Sequence, residues 1–385
     1  MAALFPPAGL DLGQRKTMLR RTKIILAAYC LGGVSVLALA VCLVIEMTRP
    51  REGEDHHHHH FQEPSGPETS PAETYTRDGR TYMKASLVED DFDVTQSCVE
   101  LGQILQANLD PEKFPHLEEL RFVSAEEAAG LPEDDAVVGV CIKGEEKAYP
   151  MRMLNHHVVF NDLCGGSEIA VVWDILTLTP KVFSRRLERS DSPELVLTFD
   201  RLGLLHRGGL LLYDKPTRSL WWPPEGKCLA GQCSGSFLED YPFMLVTWSV
   251  WKKRHPGTAV VSTDTPFSTL YRSKAYEGYY ELSQLPVPVE GWDGERSPFR
   301  WSEPVIALER GGKAKAYPFS VLGTVEGIVT DTFAGSEILI HEAQSPLPYP
   351  TDADGGEIPY SFGAWFLWSV RYPDIEVFSP QKEAK

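Results

Sequence analysis

The 385 residues carry no glycine-rich phosphate loop, no His-Glu-x-x-His, no Gly-x-Ser-x-Gly and no Cys-x-x-Cys. Nucleotide hydrolysis, zinc proteolysis, serine-type hydrolysis from a strand-to-helix elbow and a paired-thiol redox centre therefore lack their usual sequence signals. Positive charge is also short: 37 Lys and Arg face 54 Asp and Glu, for a formal net charge of −17. An acidic surface repels phosphate backbones and anionic headgroups, so no nucleic-acid partner is expected. Cysteine is scarce, at seven. Cys30 and Cys42 fall in an apolar run, and the odd five beyond it, Cys98, Cys141, Cys164, Cys228 and Cys233, cannot all pair within one chain. In an oxidising compartment the Gly-containing loop from Cys228 to Cys233 makes these two the expected disulfide, worth roughly 2 kcal/mol on the chain-entropy model. Cys141, inside a strand-like apolar run, is expected to be a buried hydrophobe.

What the chain does have is one long uncharged stretch. Ile24 to Ile45 is rich in Ile, Leu, Val and Ala, and as a helix it would reach about 33 Å, enough to cross a bilayer. Arg15, Lys16, Arg20, Arg21 and Lys23 crowd its N-terminal side, which by the positive-inside rule keeps that side in the cytoplasm. The sequence thus predicts a cytoplasmic tail over 1–23, a single transmembrane helix over 24–46 in the cell membrane, and an extracytoplasmic remainder. The alternative is a cleaved signal peptide ending at Ala38-Leu39-Ala40, against which the apolar run continues from Val41 to Ile45. Residues 47–87 hold Pro, Glu, Ser and Thr with few large aliphatics and read as a disordered linker. His56 to His60 within it can bind transition metals, but an unstructured run fixes no coordination geometry.

Further on, one pattern occurs twice. Lys147-Ala148-Tyr149-Pro150, Leu154, Asp162 and Gly166-Ser167-Glu168-Ile169 return as Lys315-Ala316-Tyr317-Pro318, Leu322, Asp331 and Gly335-Ser336-Glu337-Ile338. The expected fold class is α+β, strand-rich, with two tandem related units, 88–264 and a truncated 265–380, behind the membrane helix. Trp248-Ser249-Val250 is echoed by Trp368-Ser369-Val370, so a long stretch of the first unit, Asp174 to Trp222 included, has no counterpart in the second. Runs rich in β-branched and aromatic residues predict strands at Ala136 to Ile142, Ile169 to Trp173, Leu195 to Phe199 and Gly209 to Tyr213. Capping-box spacing predicts short helices after Ser97 and Ser124, and an apolar stripe closed by Pro256 predicts a helix from Phe243 to His255. Asp162 and Asp331, common to both units, read as turn formers that bond to backbone amides.

Arg152, Asn155, His156, His157, Asn161, Asp162 and Cys164 crowd into one short segment after the first Ala-Tyr-Pro. Imidazole, carboxylate and thiol together are what a metal site or a general base needs. Adjacent side chains diverge, so at most one of His156 and His157 faces a given site. The second unit has Gly323 to Thr330 here, without histidine.

Ala148-Tyr149-Pro150-Met151-Arg152, Leu154-Asn155-x-His157, Asn161-Asp162, Leu211-Leu212-Tyr213-Asp214, Ser219-Leu220-Trp221 and Thr247-Trp248 to His255-Pro256 together resemble the bacterial family catalogued as domain of unknown function 3179. The resemblance brings no established activity. It implies, in typical members, His-Glu where this chain has His157-Val158, a Tyr-Cys-Pro-x-Cys-Gly segment where it has Trp173 to Leu178, and Tyr-Asn-Ser where it has His206-Arg207-Gly208. Thiol redox or soft-metal chemistry is thereby implied for the family, with both thiol positions replaced here by Asp174 and Thr177. The candidate pocket is Arg152, Asn155, His157, Asp174, Thr177 and His206.

The expected function is a non-catalytic, membrane-anchored binding or assembly module with an envelope protein as partner, carrying a degenerate redox-like site and no cofactor. The alternative is a metal binder or enzyme in which His157, Asp174 and His206 act as substituted ligands. A carboxylate at 174 is further expected to pair with His157 and raise that imidazole's affinity for a proton.

Overall fold

The computed structural model describes residues 67–189, 192–273 and 278–380. Ile24 to Ile45 and His56 to His60 lie outside them. No helix among the described residues is long and apolar enough to cross a membrane. Strands dominate, joined by four short α-helices: α1 (Met151–His157), α2 (Trp248–Arg254), α3 (Phe319–Leu322) and α4 (Trp365–Arg371).

Ala136–Ile142 and Glu145–Pro150 form an antiparallel hairpin. Met244–Thr247 joins it antiparallel on one side and Ala259–Val261 parallel on the other, with Phe122–Ser124 at the edge. Pro304–Arg310 and Lys313–Pro318 pair in the same way, between antiparallel Ser361–Ala364 and parallel Glu376–Val377. The Lys-Ala-Tyr-Pro stretches are the second strands of these hairpins. Lys147 Nζ and Tyr149 Oη both donate to Asp162 Oδ2, at 3.0 and 2.7 Å. Lys315 Nζ and Tyr317 Oη meet Asp331 Oδ2 at 2.7 and 3.0 Å. Asp162 and Asp331 are therefore strand residues that collect two side-chain donors, which corrects their reading as turn formers.

Alternate residues of each hairpin leave opposite faces. Val138, Val140 and Tyr149 enter the main core, whereas Val137 and Ala148 pack with Trp248 and Trp251 of α2. Ile306, Leu308 and Tyr317 likewise enter the main core, and Val305, Ala307 and Ala316 pack with Trp365 and Trp368 of α4. A helix of seven residues covers only one face of such a sheet, so the other must pack on strands from elsewhere in the chain. The main core accordingly runs on from Met83 and Phe92 through Leu204, Leu211 and Trp222 to Tyr317 and Phe378. The expected fold class is corrected on this point. Among the described residues the fold is strand-rich, with four short helices, one shared main core and no helix long and apolar enough to cross a membrane, rather than an α+β pair of separate tandem units.

The stretch unique to the first half supplies Phe199–His206, Gly209–Asp214 and Leu220–Trp222 to a six-stranded sheet that also holds Thr69–Pro71, Ile104–Ala107 and Lys227–Ala230. Thr74–Arg77, Arg80–Ala85 and Val88–Asp93 form a three-stranded antiparallel sheet. Residues 69–85 are thus strand where a disordered linker was expected. Met83 and Phe92, paired across two strands and fully buried, supply the anchoring that composition undercounts.

Three helix expectations also shift. After Ser97 there is only a 3₁₀ turn, Leu101–Gln103, before Ile104–Ala107 pairs with Leu204 to His206. Ser124 and Glu127 make the reciprocal capping-box bonds, at 2.9 and 3.2 Å, but turns follow rather than a helix. The expected helix from Phe243 begins as strand Met244–Thr247, because that segment pairs with Ala136 to Gly139. Thr247 then caps α2, its Oγ1 accepting from Val250 N–H. Ala364 holds the same place before α4, so by position Trp251 answers to Trp368, His255 to Tyr372 and Pro256 to Pro373. The Trp-Ser-Val match is displaced from this alignment by about one turn.

Candidate functional site

The sequence-predicted pocket residues separate into two places. Arg152, Asn155 and His157 stand on α1. Arg152 forms a buried ion pair with Asp135, whose Oδ1 accepts from Nη2 at 2.6 Å. Burial pushes Asp135 up to about 6 against the pull of that guanidinium. Asn155 Oδ1 accepts from Trp173 Nε1–H at 2.9 Å. His157 is buried, with Nδ1 2.9 Å from the Pro115 carbonyl and Nε2 2.7 Å from Tyr271 Oη. A carbonyl can only accept, so Nδ1 carries the proton and Nε2 accepts from the tyrosine. Burial lowers the His157 pKa to about 4. Val158, next in the chain, has a positive φ of 66°, a costly conformation for a β-branched residue. It stands where the resemblance places a glutamate.

Asp174 and Thr177 occupy the turn between strands Ser167–Asp174 and Thr179–Ser184. Both are fully buried. Asp174 accepts from Leu176 N–H at 3.0 Å, Leu210 N–H at 3.0 Å and Thr177 Oγ1 at 2.8 Å. Thr177 Oγ1 also lies 2.9 Å from Thr179 Oγ1. The hairpin turn between Gly209–Asp214 and Leu220–Trp222 repeats the device. Asp214 accepts from the Thr217 and Ser219 amides, Thr217 Oγ1 and Trp221 Nε1–H, and Thr217 Oγ1 lies 2.8 Å from Ser219 Oγ. Asp-x-x-Thr followed by a hydroxyl residue two positions on is therefore a turn-closing unit used twice here. At the first turn it fills the positions where the resemblance places the family's thiols. Burial raises the Asp174 pKa to about 6, against the lowering effect of its donors.

No hydrogen bond or ion pair joins Asp174 to His157, and the His157 pKa is moved down, not up. The expected carboxylate–imidazole pair is thereby corrected. His206 is buried against Trp222, rings edge-on at 5.2 Å, and its Nδ1 has no hydrogen-bond partner among the described residues. Burial, then Arg207, lowers its pKa to about 4. Asp174 and His206 both lie near Gly209 and Trp222, but His157, Asp174 and His206 do not assemble the ligand set expected of them, and the potential metal-ligand group among the described residues includes none of the three. Cys228 and Cys233 are free thiols rather than a disulfide. Their loop is closed by backbone bonds instead, Gly235 N–H to the Cys228 carbonyl and Cys228 N–H to the Ser236 carbonyl, both at 2.9 Å.

Sequence reasoning missed two features. Cys141 is exposed rather than buried. With Glu146 and His255 it forms the group of three potential ligands found among the described residues, their ligating atoms all within 4.8 Å of one another. The Lys143-Gly144 hairpin signal between two strand runs could have shown that Cys141 faces Glu146; nothing local points to His255. The second feature is an open groove of about 650 Å³ lined by Tyr82, Asp93, Gln96, Arg218 and Gln232 among others.

No curated protein and no solved structure matches the chain. A family model does, over residues 111–358, a span that takes in α1, both Asp-Thr turns and the Cys141, Glu146 and His255 group. The chain belongs to the family described as protein of unknown function, DUF3179.

Proposed function

We propose that this protein is a non-catalytic binding module of the cell envelope, built on a scaffold whose thiol-type site has become a fixed structural turn. The observation that carries this reading is the bonding of Asp174 and Thr177. Their side chains are spent on each other and on two backbone amides in a fully buried turn, which leaves no free nucleophile or base there. His157, which does match the resemblance, has both ring nitrogens engaged. Binding then falls to the groove beside Gln96 and Gln232, whose mixed Arg, Asp, Tyr and amide lining suits a polar protein segment.

Photo-crosslinking in intact cells tests this reading, with a benzophenone amino acid placed at Gln96 or Gln232. One discrete protein adduct is expected from both positions and none from Leu163, an exposed residue outside the groove. Equal yields from all three positions, or no adduct, would remove the binding role. Thiol–disulfide exchange turnover that is abolished by Thr177→Val would restore an enzymatic one.

A further inference from the structure

Lys143 and Gly144 both have positive φ, 49° and 84°, as a two-residue turn of the primed type requires. That turn sets the register in which Cys141 and Glu146 are direct cross-strand partners, so their side chains leave the same face of the sheet. Two residues earlier on that face is Gly139, where a Cβ would come within 2.2 Å of the Trp251 ring. Only glycine lets the indole lie on the strand. His255, at the end of α2, stacks on Trp251 with ring centroids 3.8 Å apart, and this brings its Nδ1 to 2.9 Å from Glu146 Oε1. On the opposite side of the ring, Nε2 lies 2.9 Å from Glu357 Oε1.

We propose that Cys141, Glu146 and His255 bind a divalent transition-metal ion of the zinc type, with Glu357 orienting the histidine from behind. Thiolate, carboxylate and imidazole form a donor set that zinc takes, and three protein ligands leave a fourth position for water or an exogenous donor. At zinc bond lengths, tetrahedral donors lie about 3.5 Å apart. The wider separations must therefore close by about 1 Å and the 2.9 Å His255–Glu146 contact must open by about 0.5 Å, the first a movement open to the exposed Cys141 side chain.

The hydrogen bonding of His255 favours the same conclusion. A neutral imidazole has one N–H and serves only one of the two carboxylates that face its nitrogens, whereas an imidazolium or a metal-bound imidazole serves both. A metal ion at Nδ1 with Nε2–H donated to Glu357 satisfies both, and a carboxylate behind a ligating histidine is the usual supporting arrangement. Arg254 Nε lies 3.8 Å from Glu357 Oε1 and offsets the charge of the carboxylate left outside the coordination set. The second sheet closes the equivalent place without ligands. There Glu309 stands opposite Ala314, Tyr372 stacks on Trp368, and the Tyr372 hydroxyl and Arg371 bind Glu309.

The test uses the full chain with His56 to His60 all changed to Ser, which removes the competing imidazole run, and cobalt(II) as probe. One equivalent of cobalt is expected, displaceable by zinc, with a thiolate-to-cobalt charge-transfer band in the near ultraviolet. The band should vanish in Cys141→Ser and persist in Cys98→Ser. Glu357→Gln should weaken zinc binding about 10–100-fold, as loss of a supporting carboxylate does. Absence of stoichiometric binding, cobalt bound without the band, or a band that survives Cys141→Ser would overturn the proposal. Cys141 is exposed, so its replacement leaves the fold intact and the comparison valid.

Discussion

Replacing Asp174 by Ala separates a structural carboxylate from a catalytic one, because the two roles predict opposite pH behaviour. The substitution leaves the Leu176 and Leu210 amides without their acceptor in a fully buried turn, at about 1–3 kcal/mol each. Thr177 can turn its hydroxyl to Thr179 and is not orphaned. Against this loss stands the cost of burying a charge. Folded Asp174 has a pKa of about 6 against an ordinary 3.8, so the native state binds more protons than the unfolded chain between those values. Wild-type stability from this group is full below pH 3.8 and is lost as pH rises to about 6. At about 1.4 kcal/mol per pH unit the loss is about 3 kcal/mol, most of it between pH 4 and 7.5. Asp174→Ala should therefore destabilise by about 4 kcal/mol at pH 4 and by only about 1–2 kcal/mol at pH 7.5. Denaturant unfolding of both proteins at the two pH values measures it, and groups that titrate alike in both cancel. The His157 resonance should titrate unchanged. A destabilisation that stays level or grows with pH would mean that Asp174 is ionised and paired in the fold, and the reasoning would fail.

Changing both Asp174 and Thr177 to Cys should give a disulfide between 174 and 177 under mild oxidation, because these side chains already touch. Closing so short a loop adds about 2 kcal/mol relative to the reduced form; a non-reduced peptide map without the bridge would contradict the placement. His206→Phe should cost only about 1 kcal/mol at pH 7.5, the worth of the ring's one hydrogen bond, to the Gln103 backbone. Folded His206 has a pKa of about 4 against 6.5, so wild-type stability from it is present above 6.5 and lost as pH falls to about 4. The variant should thus be better preserved at pH 4 by about 3 kcal/mol, and an unchanged acid limb would show that the ring is solvated. Gly139→Ala should destabilise by about 1–3 kcal/mol through overpacking against Trp251, read by denaturant unfolding, and full stability in that variant would contradict the ring's seat on the strand.

The frame was legible where local pattern and pairing agree. Ala136–Ile142 and Gly209–Asp214 read as strands and are strands, their β-branched or leucine-rich runs bounded by turn residues. Met244–Thr247 was misread because a short apolar run fits either period, and its pairing with Ala136 to Gly139 lies more than a hundred residues away. The strands of residues 69–85 were missed for a different reason, since their anchoring comes from Met83 and its cross-strand partner Phe92 rather than from average hydropathy. At the candidate site, resemblance located Asp174 and Thr177 but not what they do. Their use as a turn becomes visible only beside Asp214, Thr217 and Ser219, where the same bonds close another hairpin. Cys141 and Glu146 share one hairpin, but His255 and Glu357 come from two distant segments, and no sequence period joins them to it.

The shared core also sets the order in which the protein can form. Ala364 N–H bonds to the Thr177 carbonyl, and Tyr317 stacks on Phe378 at 5.5 Å, so contacts near the end of the described chain close layers begun far earlier. Each such closure must first lose the entropy of a long loop, which makes folding slow and late. A chain still emerging from the ribosome can form hairpins but cannot cover the main-core faces of its sheets, leaving them open to chaperones and to one another. Truncation after the first hairpin sheet is accordingly expected to yield an aggregation-prone fragment rather than a smaller working protein.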